Sequence, residues 1–175
     1  MSEGLTTDPR DALREHPAVQ RVLAALAVQH ITPELVLLPD AVRTAAAAAD
    51  ALGVTRAEIA NSLVFRAHDA EGQITPLLVI TSGAHHVDVT KVADLTGIDH
   101  IDRADAEFVL RTTGFPIGGV APAGHTLPVR TVVDVSLSRH PYVWAAAGHS
   151  HAVFRTTYDE LLRLGGPEAV AIEVT

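Results

Sequence analysis

The feature of this sequence that most constrains its fold is a stretch rich in glycine and proline at residues 114–125, which reads GFPIGGVAPAGH. Four glycines and two prolines here separate an amphipathic helical run from a β-branched run. Glycine lets the backbone approach a neighbour or a ligand closely, and proline restricts the chain, so the loop should be rigid and should present backbone N–H groups. A long connection that only turns a corner is the simpler alternative.

The spacing of these glycines does not fit the common phosphate-binding loops. The segment has no Gly-Lys-Ser/Thr as in a P-loop, and Gly114, Gly118 and Gly119 do not follow the G-x-G-x-x-G spacing of dinucleotide-binding loops. A nucleotide-binding loop of either kind is therefore not predicted.

The composition indicates one acidic domain with an aliphatic core. A chain of 175 residues with 47% hydrophobic residues is long enough for one buried core and short for two. We therefore expect a single domain over residues 1–175, in which residues 1–9 form a flexible leader. Since only 4% of the residues are aromatic, Val, Leu, Ile and Ala must build most of the core.

Charge and cysteine content exclude several classes of function. The formal net charge of −8 argues against tight, sequence-independent nucleic-acid binding, which depends on Lys and Arg contacts to phosphates, and DNA is not an expected partner. The absence of cysteine excludes disulfides, thiolate zinc sites and cysteine nucleophiles. There is no apolar run of about 18 residues, so no membrane partner is expected. These features predict a soluble, cytoplasmic protein without a secretory signal.

Hydrophobic periodicity, capping residues and chain breakers predict a mixture of helices and strands. Helices are predicted at 17–29, 44–52, 89–95, 105–112 and 157–164. Strands are predicted at 34–38, 62–67, 75–81, 98–101, 130–135, 142–147, 151–156 and 170–174. The second and third strands are expected to form an antiparallel hairpin. The pattern favours an α+β fold with a curved, barrel-like mixed sheet wrapped by helices over a doubly wound parallel sheet.

Several segments of the sequence resemble the YbaK/ProX family, which is also the editing domain inserted in bacterial prolyl-tRNA synthetase. They are IANSLVF at 59–65, LVITSGAHHVDVTKVADLTG at 78–97, RADAEFVLRTTGFPIGGVAPAGH at 103–125 and TVVDVSL at 131–137. The resemblance implies a pocket for the terminal aminoacyl-adenosine of tRNA and hydrolysis of the ester that joins a wrong amino acid to it. The aminoacyl-tRNA acceptor end is then the partner, and an aminoacyl-tRNA synthetase is a second candidate.

The resemblance also assigns a role to the glycine loop. Gly118 and Gly119, predicted as catalytic, and Val120, Ala121 and Pro122, predicted to bind substrate, fall where the family holds the aminoacyl group by backbone amides. Preorganised N–H donors stabilise the charge that develops on an ester carbonyl oxygen and need no particular side chain. A valine in place of Gly119 is expected to fill the pocket with little effect on folding.

Asn61, the third residue predicted as catalytic, departs from the family pattern. Active relatives usually have a lysine here, which reaches the phosphate or ribose of the terminal nucleotide. The asparagine amide donates hydrogen bonds but carries no charge. Two functions therefore stay open: a deacylase acting in trans, or a noncatalytic module that binds aminoacyl-adenosine or a related nucleotide. The adjacent Ser62 is predicted to bind substrate, because no arrangement with His and Asp supports a nucleophilic role.

Asp134, His149 and His151 complete the predicted substrate site. The family has an aspartate beside the loop and, in synthetase-inserted relatives, a histidine near the last sheet; the alternative for Asp134 is a turn or cap former. His149 and His151 could share one strand face and bind zinc with Asp134. Because their spacing fits no metalloprotease motif, no metal and no other cofactor is predicted.

The sequence offers no obvious general base for ester hydrolysis. The resemblance implies that the vicinal hydroxyl of the terminal ribose orients or activates the water. Four arginines near the loop or the Asn61 strand are candidates to bind the phosphate in place of the family lysine: Arg66, Arg103, Arg111 and Arg130.

Overall fold

The computed structural model describes residues 8–175, which contain six α-helices and eight strands. In chain order these are α1 (Pro9–Arg14), α2 (Pro17–Val28), β1 (Glu34–Leu37), α3 (Ala45–Leu52), β2 (Ala60–His68), β3 (Ile74–Ser82), α4 (Val89–Thr96), β4 (His100–Arg103), α5 (Ala106–Thr113), β5 (Arg130–Asp134), β6 (Val143–His149), β7 (Ala152–Thr156), α6 (Tyr158–Leu164) and β8 (Val170–Ile172). Across this described range, no helix is both long enough and apolar enough to cross a membrane.

The N-terminal helix α1 was not predicted. The expected leader at 1–9 lies mostly outside the described residues, but of its last two residues Asp8 caps α1 and Pro9 begins it. The Asp8 side chain accepts the backbone N–H of Arg10, and Pro9 occupies the first turn. Both features favour the start of a helix.

The strands form two hydrogen-bonded sheets rather than one continuous sheet. The first, in the order β1-β7-β6, is antiparallel. The second, in the order β4-β2-β3-β5-β8, is mixed: β2 pairs antiparallel with β3 and β4, whereas β5 is parallel to β3 and β8. An isolated parallel bridge connects Ile59 with Trp144. The α+β class is therefore confirmed, and the sheet is not a closed barrel.

Strand β3 lies in the middle of the larger sheet, and both of its faces are buried. Leu77 and Val79 pack into the core beneath α4, whereas Leu78 and Ile80 pack into the larger core that includes α2 and β6. Because successive side chains of a strand point to opposite faces, this apolar run supplies both cores at once. The predicted hairpin of β2 and β3 is confirmed.

The loop at 114–125 is packed against α2 and β6. Phe115, Ala121 and Ala123 are buried in the core. A Cβ atom on Gly124 would lie 3.0 Å from the backbone oxygen of Arg21 in α2, so only glycine allows this approach. The prediction that the glycines let the backbone approach a neighbour closely is confirmed, and at Gly124 this neighbour is the backbone of α2.

Arg21 of α2 forms hydrogen bonds to both ends of this loop. Its Nη2 donates to the backbone oxygen of Gly114 at 2.7 Å, and its Nε donates to that of Gly124 at 3.4 Å. Its guanidinium also lies 4.9 Å from the centre of the Phe115 ring. The planar guanidinium can make these contacts together, which a lysine ammonium cannot reproduce.

We predict that Arg21→Met destabilises the protein by about 1.5–3 kcal/mol, the usual contribution of a hydrogen bond that involves a charged group. Thermal unfolding and hydrogen exchange of the loop amides would measure the effect. Arg163→Met is the matched control, because Arg163 makes one exposed hydrogen bond, to the backbone oxygen of Gln29. Equal melting temperatures of the two variants would contradict the conclusion that the hydrogen bonds of Arg21 stabilise the loop.

Candidate active site

A cavity of about 480 Å³ lies between the two sheets. Its walls come from β2, β6, α3 with the residues just before it, and the glycine loop. Its volume falls in the usual range for small-molecule sites, roughly 300–1,000 Å³. Of the predicted site residues, four line this cavity: Asn61, Ser62, Gly118 and Val120.

The β2 wall of the cavity is a partly free strand edge. β3 pairs with the whole of β2, but β4 pairs with it only from Phe65 to His68. Residues 61–64 therefore have a strand on one side and the cavity on the other. The Ser62 hydroxyl is buried and has no hydrogen-bond partner among the described residues. Because a buried hydroxyl without a partner is costly, it is a good candidate to contact a bound ligand.

Two residues of the glycine loop that line the cavity, Gly118 and Val120, have backbone N–H groups that can serve a ligand. Gly119 donates its N–H to the backbone oxygen of Pro116 at 3.0 Å, so this amide is already used. Among residues 8–175, no backbone hydrogen bond starts at the N–H of Gly118 or Val120. Gly118 has φ +88°, and a Cβ there would lie 3.1 Å from the Cβ of Arg43. The left-handed conformation favours glycine at this position, and the contact leaves little room for a side chain.

Gly119 faces β6 rather than the cavity. A Cβ atom on it would lie 3.3 Å from the Cα of His149 and 3.4 Å from the carbonyl carbon of Gly148. This contact disfavours the expectation that a valine here fills the pocket with little effect on folding, because the larger side chain would crowd the backbone of β6. Gly119, Ala121 and Pro122 are buried and are not among the cavity-lining residues.

Two arginines, Arg43 and Arg103, line the cavity, and none of its lining residues in the described range is acidic. The site is thus locally basic in a protein of formal net charge −8. Sequence reasoning named Arg103 but missed Arg43, which directly precedes Thr44, the N-cap of α3. Only the fold shows its proximity to Gly118.

The other candidate arginines lie elsewhere. Arg66 is 4.0 Å from Asp102, and Arg111 lies 5.6 Å from the ring centre of Phe108. Arg130 donates to the backbone oxygen of Thr96. None of these three arginines lines the cavity.

The structure places Asp134 in a buried hydrogen-bond network and not on the cavity wall. Its carboxylate accepts the backbone N–H groups of Ser82 and Ser136, each at 3.0 Å, and lies 2.8 Å from His85 Nδ1. Burial by itself would raise the pKa of Asp134, but the hydrogen bonds from Ser82, Ser136 and His85 hold that pKa below its ordinary value. These contacts tie the end of β3 to the turn that follows β5.

His149 is the last residue of β6 and lies next to Gly119 of the glycine loop, and His151 follows it two residues later. Their ring centroids are 5.5 Å apart, and that of His16 is 5.0 Å from His149. Burial, followed by the charges of His16 and His151, lowers the pKa of His149. His149 Nδ1 accepts the backbone N–H of His151 at 3.1 Å. Neither histidine lines the cavity, and Asp134 contacts His85 instead of them.

Comparison with known proteins agrees with this architecture. The model of the aminoacyl-tRNA editing domain family matches residues 39–164, and the chain belongs to that family. The resemblance inferred from the sequence motifs is thereby confirmed.

Solved structures and a curated relative cover much of the chain. A crystal structure of a proposed trans-editing enzyme for prolyl-tRNA synthetase is 38% identical, with a TM-score of 0.79 over 91% of this chain and 97% of that one. The hypothetical protein APE2540 is 27% identical, with a TM-score of 0.74 over 86% and 97%. The uncharacterized protein YwhH of Bacillus subtilis (strain 168) is 34% identical over 114 residues, 65% of this chain and 69% of its own.

We predict that Asp134→Asn lowers the free energy of unfolding by about 1–3 kcal/mol at neutral pH, because an amide has one acceptor oxygen and one of the buried N–H donors therefore loses its acceptor. A lowered pKa means that the carboxylate stabilises the fold fully above its unfolded-state pKa of about 3.9 and progressively less as the pH falls through the folded-state value.

The difference between wild type and Asp134→Asn should therefore shrink below about pH 4. Urea unfolding across the pH range would measure it, with the exposed Asp94→Asn as control. A difference that stays constant down to about pH 3 would show that the charge of Asp134 does not contribute.

Proposed function

We propose that this protein is an aminoacyl-tRNA deacylase that acts in trans on mischarged tRNA. The observation that carries the proposal is that the free edge of β2, two loop residues whose backbone N–H groups are unpaired within residues 8–175 (Gly118 and Val120) and two arginines line the same cavity. The solved relative with a proposed role beside prolyl-tRNA synthetase makes a mischarged tRNA for proline the first substrate to test.

In this proposal the cavity binds only the acceptor end of the tRNA. Arg43 and Arg103 contact the phosphate of the terminal nucleotide, and Asn61 and Ser62 donate hydrogen bonds to its ribose. Trp144 supplies apolar surface for the adenine. Since the chain as a whole is acidic, contacts to the tRNA body should contribute little, and affinity should depend on this local basic patch.

In the proposed hydrolysis, the protein mainly positions the ester and stabilises the oxyanion, and it supplies no general base. A water attacks the ester carbonyl carbon, the Gly118 and Val120 N–H groups stabilise the oxyanion, and the bond to the ribose oxygen then breaks. The products are the free amino acid and the tRNA, whose ribose oxygen takes up the proton from water. The vicinal ribose hydroxyl orients the water, so no side chain serves as general base.

The second candidate function is a noncatalytic module that binds the same acceptor end. Asn61 supports it, because an amide stands where active relatives typically have a charged lysine, and its hydrogen bonds to phosphate are weaker than those of an ammonium. The presence of Arg43 and Arg103 in the same cavity supports the enzyme instead, since either arginine can supply a charged donor to phosphate.

We predict that Arg43→Ala and Arg103→Ala each lower kcat/KM for deacylation about tenfold or more. A hydrogen bond between charged groups contributes about 1.5–3 kcal/mol, and about 1.4 kcal/mol corresponds to a factor of ten. Arg130→Ala is the control, because Arg130 is exposed and its guanidinium contacts Thr96 rather than the cavity. Equal losses in all three variants would argue against a phosphate contact at this site.

Turnover itself decides between the two functions. The wild-type protein is expected to deacylate a tRNA for proline charged with alanine, a small aliphatic probe, and to be nearly inactive when the terminal ribose lacks the vicinal hydroxyl. The loss should exceed that caused by Asp134→Ala or His149→Ala. Undiminished hydrolysis of the deoxy substrate, together with inactivity of either alanine variant, would overturn substrate assistance.

The Asn61→Lys variant completes this experiment. If the wild type binds the charged tRNA without turnover and Asn61→Lys gains turnover, the protein is a binding module. If both proteins turn over, the wild type is an enzyme and the lysine changes only its efficiency.

A further inference from the structure

Three potential metal ligands meet at the edge of the five-stranded sheet, outside the cavity. His68 at the end of β2 lies directly opposite His100 at the start of β4, and Asp102 lies two residues further along β4. Since alternate residues of a strand share a face, and directly paired residues do too, the antiparallel register places all three side chains on one side of the sheet. None of them lines the cavity.

The ligand atoms are already close to one another. One such atom from each residue lies within 4.8 Å of the other two. His68 Nε2 is 3.1 Å from Asp102 Oδ1, and His100 Nε2 is 3.9 Å from Asp102 Oδ2. Zinc bonds of about 2.0–2.1 Å in a tetrahedron imply ligand separations of roughly 3.3 Å. The first pair is near that value, and the His100 side chain, which is 62% exposed, has room to rotate inward.

We propose that His68, His100 and Asp102 form a Zn²⁺ site, with water as the fourth ligand. Two imidazoles and one carboxylate are ligands that zinc binds well, and the half-buried carboxylate supplies negative charge. The inference goes beyond the proposed function, because it concerns a different set of residues and does not depend on editing.

Within the described part of the chain, Arg66 is the cation that competes with a metal here. Its Nε lies 4.0 Å from Asp102 Oδ1, and the side chains of both are partly exposed, so the attraction is weak. Its guanidinium also lies 6.0 Å from the Phe108 ring centre. When zinc neutralises Asp102, Arg66 can stay over this ring and leave the carboxylate.

A metal at this place would connect β4 to β2. β4 has only four residues and forms one edge of its sheet. The residue after Asp102 is Arg103, which lines the cavity and, by the alternation of side chains along a strand, lies on the opposite face. Zinc would therefore hold the short strand that positions this arginine, and it would stabilise the fold by binding the native state preferentially.

The experiment is titration of ZnCl₂ into the full-length, untagged protein, followed by calorimetry and thermal unfolding. One ion should bind per chain and raise the melting temperature. His100→Ala and Asp102→Asn should each weaken binding at least tenfold, since loss of even an outer partner of a metal ligand costs about 10–100-fold. His86→Ala, which removes an exposed histidine elsewhere, should bind as the wild type does.

Two results would overturn the site. One is no heat of binding and no shift in melting temperature at millimolar ZnCl₂. The other is unchanged zinc affinity in both His100→Ala and Asp102→Asn, which would place the ion at other histidines. Circular dichroism of the two variants would verify that they are folded, so that weakened binding reports on the ligands.

Discussion

The structure depends on a close approach of three backbones: helix α2, strand β6 and the glycine loop. A Cβ atom on Gly148 would lie 2.8 Å from the backbone oxygen of Ala18, and one on Gly124 would lie 3.0 Å from that of Arg21. Gly119 also packs against β6, where a Cβ atom would lie 3.3 Å from the Cα of His149. A side chain at Gly124 or Gly148 would separate the elements, and both residues have positive φ, so glycine is required at these two positions for packing as well as for backbone conformation. The rigidity of the loop follows from this packing.

Rigidity of the loop matters because the proposed chemistry relies on fixed donors. Amides stabilise a developing oxyanion well only if they are held in place before the reaction, so that no free energy is spent on orienting them. Here the loop is buried on one side against α2 and β6, while Gly118 and Val120 reach the cavity on the other. The same segment thus belongs to the core and to the site.

The cavity itself results from the division of the strands into two sheets. β2 lies at the cavity with one edge free along residues 61–64, and β6 of the other sheet forms the opposite wall. Two exposed arginines among its lining residues give this site local positive charge, although the whole chain is acidic. Local charge, rather than net charge, is therefore relevant to binding a single phosphate there.

Local signals in the sequence were sufficient to predict most elements. Gly53, Gly97 and Gly114 end helices in the left-handed conformation, and Thr44 caps α3, because such residues act on their immediate neighbours. The family motifs likewise indicated the loop and the β2 wall. These predictions needed no knowledge of distant contacts.

By itself, the sequence determined most of the elements, the mixed fold class, the family and the loop that borders the cavity. Only the tertiary structure decided which way each loop residue faces, that Asp134 serves a buried network, and that Arg43 reaches Gly118. It also decided that His68 meets His100. The physical reason is that capping and periodicity act within a few residues of the chain, whereas these contacts depend on strand register and packing between distant segments.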